Sequence, residues 1–221
     1  MIEQNHKVSF YQKRHRRCAA FGLLGFAASN KGNTHNVMSL IASRRALDYA
    51  YRWYQRCRRD ASPHNGFWSL SRQWDRIRDD CRVRLQAGEY TLSPLTQYAL
   101  ADGSYVSQWD PLDAIVLKAM ALVLTPLLTS HYDLSSATHL KGGGGVKGAV
   151  RQAQRSALSR SFVFKTDIAD YYVSISHHKL HAQLCDAIAD TRVQRLLWQV
   201  MNRVHVKGGS HRLQLSIRRL S

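Results

Sequence analysis

Two aspartates, Asp167 and Asp170, close an apolar run and precede the tyrosine pair Tyr171 and Tyr172 in FVFKTDIADYYVSISHHKL, residues 162–180. Carboxylate oxygens are the ligands that hard divalent cations require. Two Mg²⁺ ions held by aspartates can activate a 3′-hydroxyl and stabilise a leaving pyrophosphate. Nucleotidyl transfer is therefore the first chemistry to weigh for this pair. Acids are most often structural, but here an apolar run leads into Asp167, aromatics follow, and the whole chain is basic.

Two further constellations compete for attention. Gly143, Gly145 and Gly148 satisfy G-x-G-x-x-G, a helix is expected after them, and Asp167 lies about 20 residues on, as a dinucleotide site would require. Any glycine run generates that pattern, and the preceding Ser-Ser-Ala-Thr-His-Leu-Lys is not the buried strand such a loop springs from. The other role for this loop is a close approach to phosphates, aided by Lys141 and Lys147; a flexible connection fits equally well. His177, His181 and Cys185 recur every four residues, a spacing that brings metal ligands to one helical face. With no fourth ligand in view, capping, surface or core roles are the better reading.

The elements that must position these residues follow from periodicity. Residues 1–37 read as a basic, poorly structured arm, with Asn, Gly, Ser and Thr at 29–36. A helix is predicted over Arg44 to Arg59, with Leu47, Ala50, Tyr51, Tyr54 and Cys57 inward. Arg45, Arg52, Arg56 and Arg59 fall within about 60° on the other side, a stripe suited to a phosphate backbone. Leu70 to Ala87 reads as a second helix, stopped by Gly88, in which Asp79 and Asp80 pair with neighbouring arginines rather than bind metal. GEYTLSPLTQYALADGSYVSQW reads as strands turning at Asp102-Gly103. Asp110 caps a core helix with Pro111 at its first position and Asp113 helping the cap. After the glycines, helices are predicted over Val146–Leu158, His177–Ile188 and Thr191–Arg203, with a short buried strand over Phe162–Thr166.

Thirty-two Lys and Arg oppose fifteen Asp and Glu, a net charge of +17 before eleven histidines, and hydrophobic residues make up 44% of 221, enough for a core. Such an excess points to a polyanionic partner, with Trp53, Trp68 and Trp74 as candidate stacking groups. Cys18, Cys57, Cys81 and Cys185 are widely separated, which argues for reduced thiols and a cytoplasmic protein. KRHRR followed by CAAFGLLGFAAS has the charge and apolar length of an export signal, but an ordinary basic extension, or upstream sequence preceding a start at Met38, is the preferred reading. Leu112 to Leu128, interrupted by Lys118 and Pro126, falls short of the roughly 20 apolar residues of a membrane span, so no membrane partner is expected.

The stretch FVFKTDIADYYVSISHHKL resembles the first catalytic motif of reverse transcriptases, in particular the bacterial group II intron and retron-like branch: a strand-borne Asp, aromatics, then Ser-Ile and a His. GEYTLSPL, WDPLDAIVLKAMALVLTPLL and HLKGGGGVKGAV are similar to that branch's preceding blocks in the same order, over about Gly88 to Gly209. The resemblance implies RNA-directed DNA synthesis with Mg²⁺, an RNA template, a DNA primer and dNTPs. By that resemblance Asp167 is the metal-binding catalytic residue, Asp170 and Tyr171 lie beside the incoming nucleotide, and Tyr172 excludes a 2′-hydroxyl by bulk. The implied fold is α/β, or more strictly α+β: a helical basic region over 38–88, a fingers-like region over 89–160, a partial palm over 161–213 and an aberrant tail over 214–221.

The chain also departs from that pattern. No acid follows Asp190, so the paired aspartates that complete such a site are missing, and the resemblance ends near Leu213. The expectation is a truncated or frame-shifted reverse transcriptase, inactive as a polymerase on its own. The alternative is a nucleic-acid-binding protein without catalysis.

Overall fold

The computed structural model describes residues 36–58, 67–99, 103, 105–133, 137–139, 144–207 and 215–216. The chain is mixed α+β, a helical body carrying a small sheet. Four helices open it: α1 (Val37–Ile41), α2 (Arg44–Cys57), α3 (Phe67–Arg72) and α4 (Trp74–Ala87). A hairpin of β1 (Leu95–Ala99) and β2 (Tyr105–Gln108) leads into α5 (Pro111–His131). Then come α6 (Gly145–Ala157), α7 (Tyr171–Ser174), α8 (His177–Ala187) and α9 (Thr191–Met201), with β3 (His205–Lys207) and β4 (Leu215–Ser216) last.

The core forms where α2 and α5 lie against each other. Leu47, Ala50 and Tyr54 of α2 meet Ile115, Val116, Ala119 and Met120 of α5, and Val37, Met38, Ile41, Cys81, Leu85, Val193 and Leu196 close the sides. Each fully buried Leu or Ile contributes about 1.5–3 kcal/mol. Ser43 caps α2 by accepting from Ala46 N, and Asp110 caps α5 by accepting from Leu112 N at 2.9 Å. The α5 helix is 21 residues long and, by length and composition only, long and apolar enough to cross a bilayer. Seven of its side chains are nevertheless buried, Ile115, Val116, Ala119 and Met120 among them, which is a core role.

The predicted second helix is two helices, divided at Gln73, and Gly88 ends α4 in the left-handed region at φ +74°. Asp113 is a correction as well. Rather than serving the cap, it turns inward, is buried, and accepts from the Tyr90 hydroxyl at 2.7 Å and from Ser93 N at 2.8 Å. Burial raises its pKa and these two bonds pull it back, leaving it above the ordinary carboxylate value. Gln199 grips the same segment, accepting from Leu92 N at 2.8 Å and donating to Tyr90 O at 3.2 Å.

These bonds deliver the chain to the sheet, whose strand order is β2-β1-β3-β4. β1 and β2 are antiparallel, with Tyr98 opposite Val106 and Ala99 opposite Tyr105, around the predicted turn, where Gly103 has φ +80°. β3 runs parallel to β1, Leu95 opposite His205 and Gln97 opposite Lys207, and β4 is antiparallel to β3. The sheet thus joins the hairpin to the last described residues.

Candidate nucleic-acid interface

The helices carry the arginine stripe as periodicity predicts. Arg45, Arg52 and Arg56 are exposed on α2, opposite the face that α5 covers, and Arg56 Nε donates to Arg52 O at 3.1 Å. Arg59 and Lys141 lie outside the described residues. The acids nearby are consumed internally. Arg78, almost fully buried, donates to Asp48 at 3.1 Å, to Asp75 at 2.8 Å and to Asp79 at 3.3 Å. Asp79 also takes Arg44 at 3.0 Å and Arg82 at 3.4 Å, and the Arg78 bond comes first among the causes that hold its carboxyl below the usual value. Asp80 lies 4.0 Å from Arg84, in line with the predicted pairing of these acids with arginines.

The tryptophans divide. Trp74 is buried, stacks on Tyr51 at 4.3 Å and donates through Nε1 to Asp48 at 2.8 Å, so it is a core residue and not a stacking platform. Trp53 is half-buried beneath the Lys118 ammonium, 4.8 Å from its ring centroid. Trp68 alone of the three is exposed, at 40%.

The structure corrects the expected buried strand ahead of Asp167. Phe162–Thr166 forms neither a strand nor a buried segment: Phe162, Val163 and Phe164 are 92%, 85% and 88% exposed. Three consecutive apolar side chains need cover on both faces, and among the described residues no strand lies beside them. Asp167 follows on an irregular, exposed stretch, where its Oδ1 accepts from the adjacent Ile168 N at 3.0 Å. Asp170 stands at the start of α7 with φ +50° and makes no capping bond. Tyr171 and Tyr172 meet edge to face at 5.3 Å, with Tyr172 open to solvent, and Lys147 is exposed on α6.

A pair of hydrated Mg²⁺ ions needs several converging oxygens. Among the described residues no group of three or more His, Cys, Asp or Glu side chains gathers in a metal-binding arrangement. Asp167 and Asp170 therefore do not fit a two-metal centre as they stand. The dinucleotide alternative also lacks its frame among the described residues, since no strand flanks α6. The glycines serve a turn: Gly144 and Gly145 have φ +84° and +61°, and a Cβ on Gly144 would sit 3.0 Å from Gly148 Cα.

The histidine pattern resolves into packing. His181 shares a hydrogen bond with Gln194 O at 2.9 Å, lies 3.6 Å from Cys185 Sγ through Nδ1, and with His178 packs edge-on against Trp198. Burial pushes the Cys185 thiol up, away from the thiolate a metal needs. Sequence reasoning missed Asp190, which caps α9 from a buried position; its place just ahead of a helix start was the available signal.

No known family model matches this chain, and no curated protein matches it significantly.

Proposed function

We propose that this chain is a nucleic-acid-binding protein of the reverse-transcriptase type, holding a polyanion without completing nucleotidyl transfer. The observation that carries the reading is the arginine row itself: Arg45, Arg52 and Arg56 are exposed along the side of α2 away from α5, while Asp48, Asp75 and Asp79 pair with Arg78, Arg44 and Arg82. A row of guanidiniums at helical spacing suits successive phosphates. The order of the motif blocks favours an RNA-directed DNA polymerase lineage, with an RNA template, a DNA primer and dNTPs as its ligands and a cytoplasmic setting. The open position of Asp167 favours binding over catalysis at this site, and Mg²⁺ is the cation that the reverse-transcriptase resemblance implies.

Fluorescence anisotropy with a short labelled RNA tests this. Between about 50 and 200 mM salt, each single-strand phosphate contact adds about 0.7 to the slope of log K against log salt. The R45A/R52A/R56A variant should lose about 2 from that slope, and Asp167→Ala should bind as the parent does. An unchanged slope in the triple variant would remove the interface. Mg²⁺-dependent dNTP binding that disappears in Asp167→Ala would restore a residual active site.

A further inference from the structure

Among the described residues, the stretch from α6 to Asp167 is left largely uncovered. The α6 helix buries no side chain, and Val146 and Val150 are exposed on one side while Lys147, Arg151 and Arg155 recur every four residues on another. Beyond it, Phe162, Val163 and Phe164 stand in solvent. No backbone hydrogen bond within the described residues involves 162–166. Residues 134–166 contain Lys141, Lys147, Arg151, Arg155, Arg160 and Lys165 and no acid.

These features select among occupants. A bilayer covers apolar side chains but leaves unpaired N–H and C=O groups at a cost of several kcal/mol each. A nucleic acid answers the cations but offers no ladder of alternating backbone donors and acceptors. A second copy would bring another set of the six cations of 134–166, a stretch that contains no acid to answer them. A polypeptide strand satisfies backbone, apolar and charged groups together.

We propose that Phe162–Thr166 is a docking edge for an extended strand of a partner polypeptide, apolar at its centre and acidic at its flanks. The partner's backbone would pair with 162–166, its apolar residues would cover Phe162 and Phe164, and its acids would meet Arg160, Lys165 and the basic side of α6. This inference stands independently of the nucleic-acid reading.

The test uses the full chain and a labelled, end-blocked peptide of alternating valine and threonine with two glutamates at each end. Expected are saturable binding and slowed amide exchange across 162–166. Because alternate N–H groups face a given partner, Val163→Pro and Phe164→Pro are taken separately; at least one should weaken binding by about tenfold or more. A peptide ending in lysines should not bind. These residues touch no core side chain, so unchanged thermal unfolding verifies that the variants fold. The proposal is overturned by any of four results: no binding, equal binding of the lysine-ended peptide, indifference to both prolines, or no slowing of exchange at 162–166. Protection at 162–166 that arises from chain concentration alone, or from anionic vesicles or RNA with the peptide inert, assigns the edge to that occupant and overturns it too.

Discussion

Removing the Asp190 carboxylate should be among the most damaging single changes in this protein. The group is 3% exposed. Its Oδ2 accepts from Met38 N at 2.8 Å and Arg192 Nη2 at 2.9 Å, and its Oδ1 from Arg192 Nε at 3.0 Å and Arg192 N at 3.2 Å. One side chain thus caps α9, pairs a guanidinium and holds the start of α1. In Asp190→Ala the buried Met38 N–H is left without a partner, about 1–3 kcal/mol, and α9 loses its cap, about 1 kcal/mol. Breaking a buried pair costs about 3–5 kcal/mol, in agreement with that sum. For a chain of this size the loss corresponds to a fall in Tm of about 6–20 °C. Asp190→Asn keeps an acceptor and should lose roughly half as much. The pH dependence has a definite sign. Burial acts to raise the Asp190 pKa, but the Arg192 bonds and the Met38 amide outweigh it and the net shift is downward. A carboxyl lowered on folding stabilises above its unfolded value of about 3.9 and loses that contribution as pH falls through the folded value. Urea unfolding of parent and both variants at pH 7 and below pH 3 measures this directly. A gap under about 1 kcal/mol for Asp190→Ala at pH 7, or a parent-to-Asn gap that does not narrow in acid, would refute the reasoning.

Further outcomes follow from other buried groups. Tyr90→Phe removes a donor to the buried Asp113 and should cost about 1–2 kcal/mol at neutral pH. Because the Asp113 pKa is raised on folding, its carboxyl is neutral in acid and charged as pH climbs past the folded value, so the loss should shrink near pH 3; denaturant melts at both pH values check this. The Cys81 thiol, pushed up to about 12 chiefly by burial, should resist maleimide in the native protein while the exposed Cys57 is labelled, as peptide mapping by mass spectrometry will show.

The helical body was legible in the sequence because its signals are local. Asp110-Pro111 announces the start of α5, Gly88 the end of α4, and the spacing of Leu47, Ala50 and Tyr54 the inward side of α2. Asp102-Gly103 likewise marked the hairpin turn. What failed depends on distant partners. Phe162–Thr166 has the composition of a buried strand, but composition cannot say whether strands lie beside it, and among the described residues none does. Asp113 occupies a capping position by sequence and was claimed instead by Tyr90 and Ser93, residues whose approach no local pattern encodes. The parallel pairing of β3 with β1 was invisible for the same reason. At the candidate site, the arginine stripe was readable from helical periodicity, whereas the isolation of Asp167 was not.

That parallel pairing imposes an order of events on the nascent chain. Leu95 faces His205, so the sheet's central contact closes a loop of about 110 residues, and the entropy of that closure must be met before the contact gives anything back. The α2 and α5 layer can assemble during synthesis, whereas the β1–β2 hairpin, marginal as an isolated pair, waits for β3 to emerge. A ribosome paused before His205 would therefore display a consolidated helical body with an unsettled hairpin, and the sheet would be the slow phase of refolding.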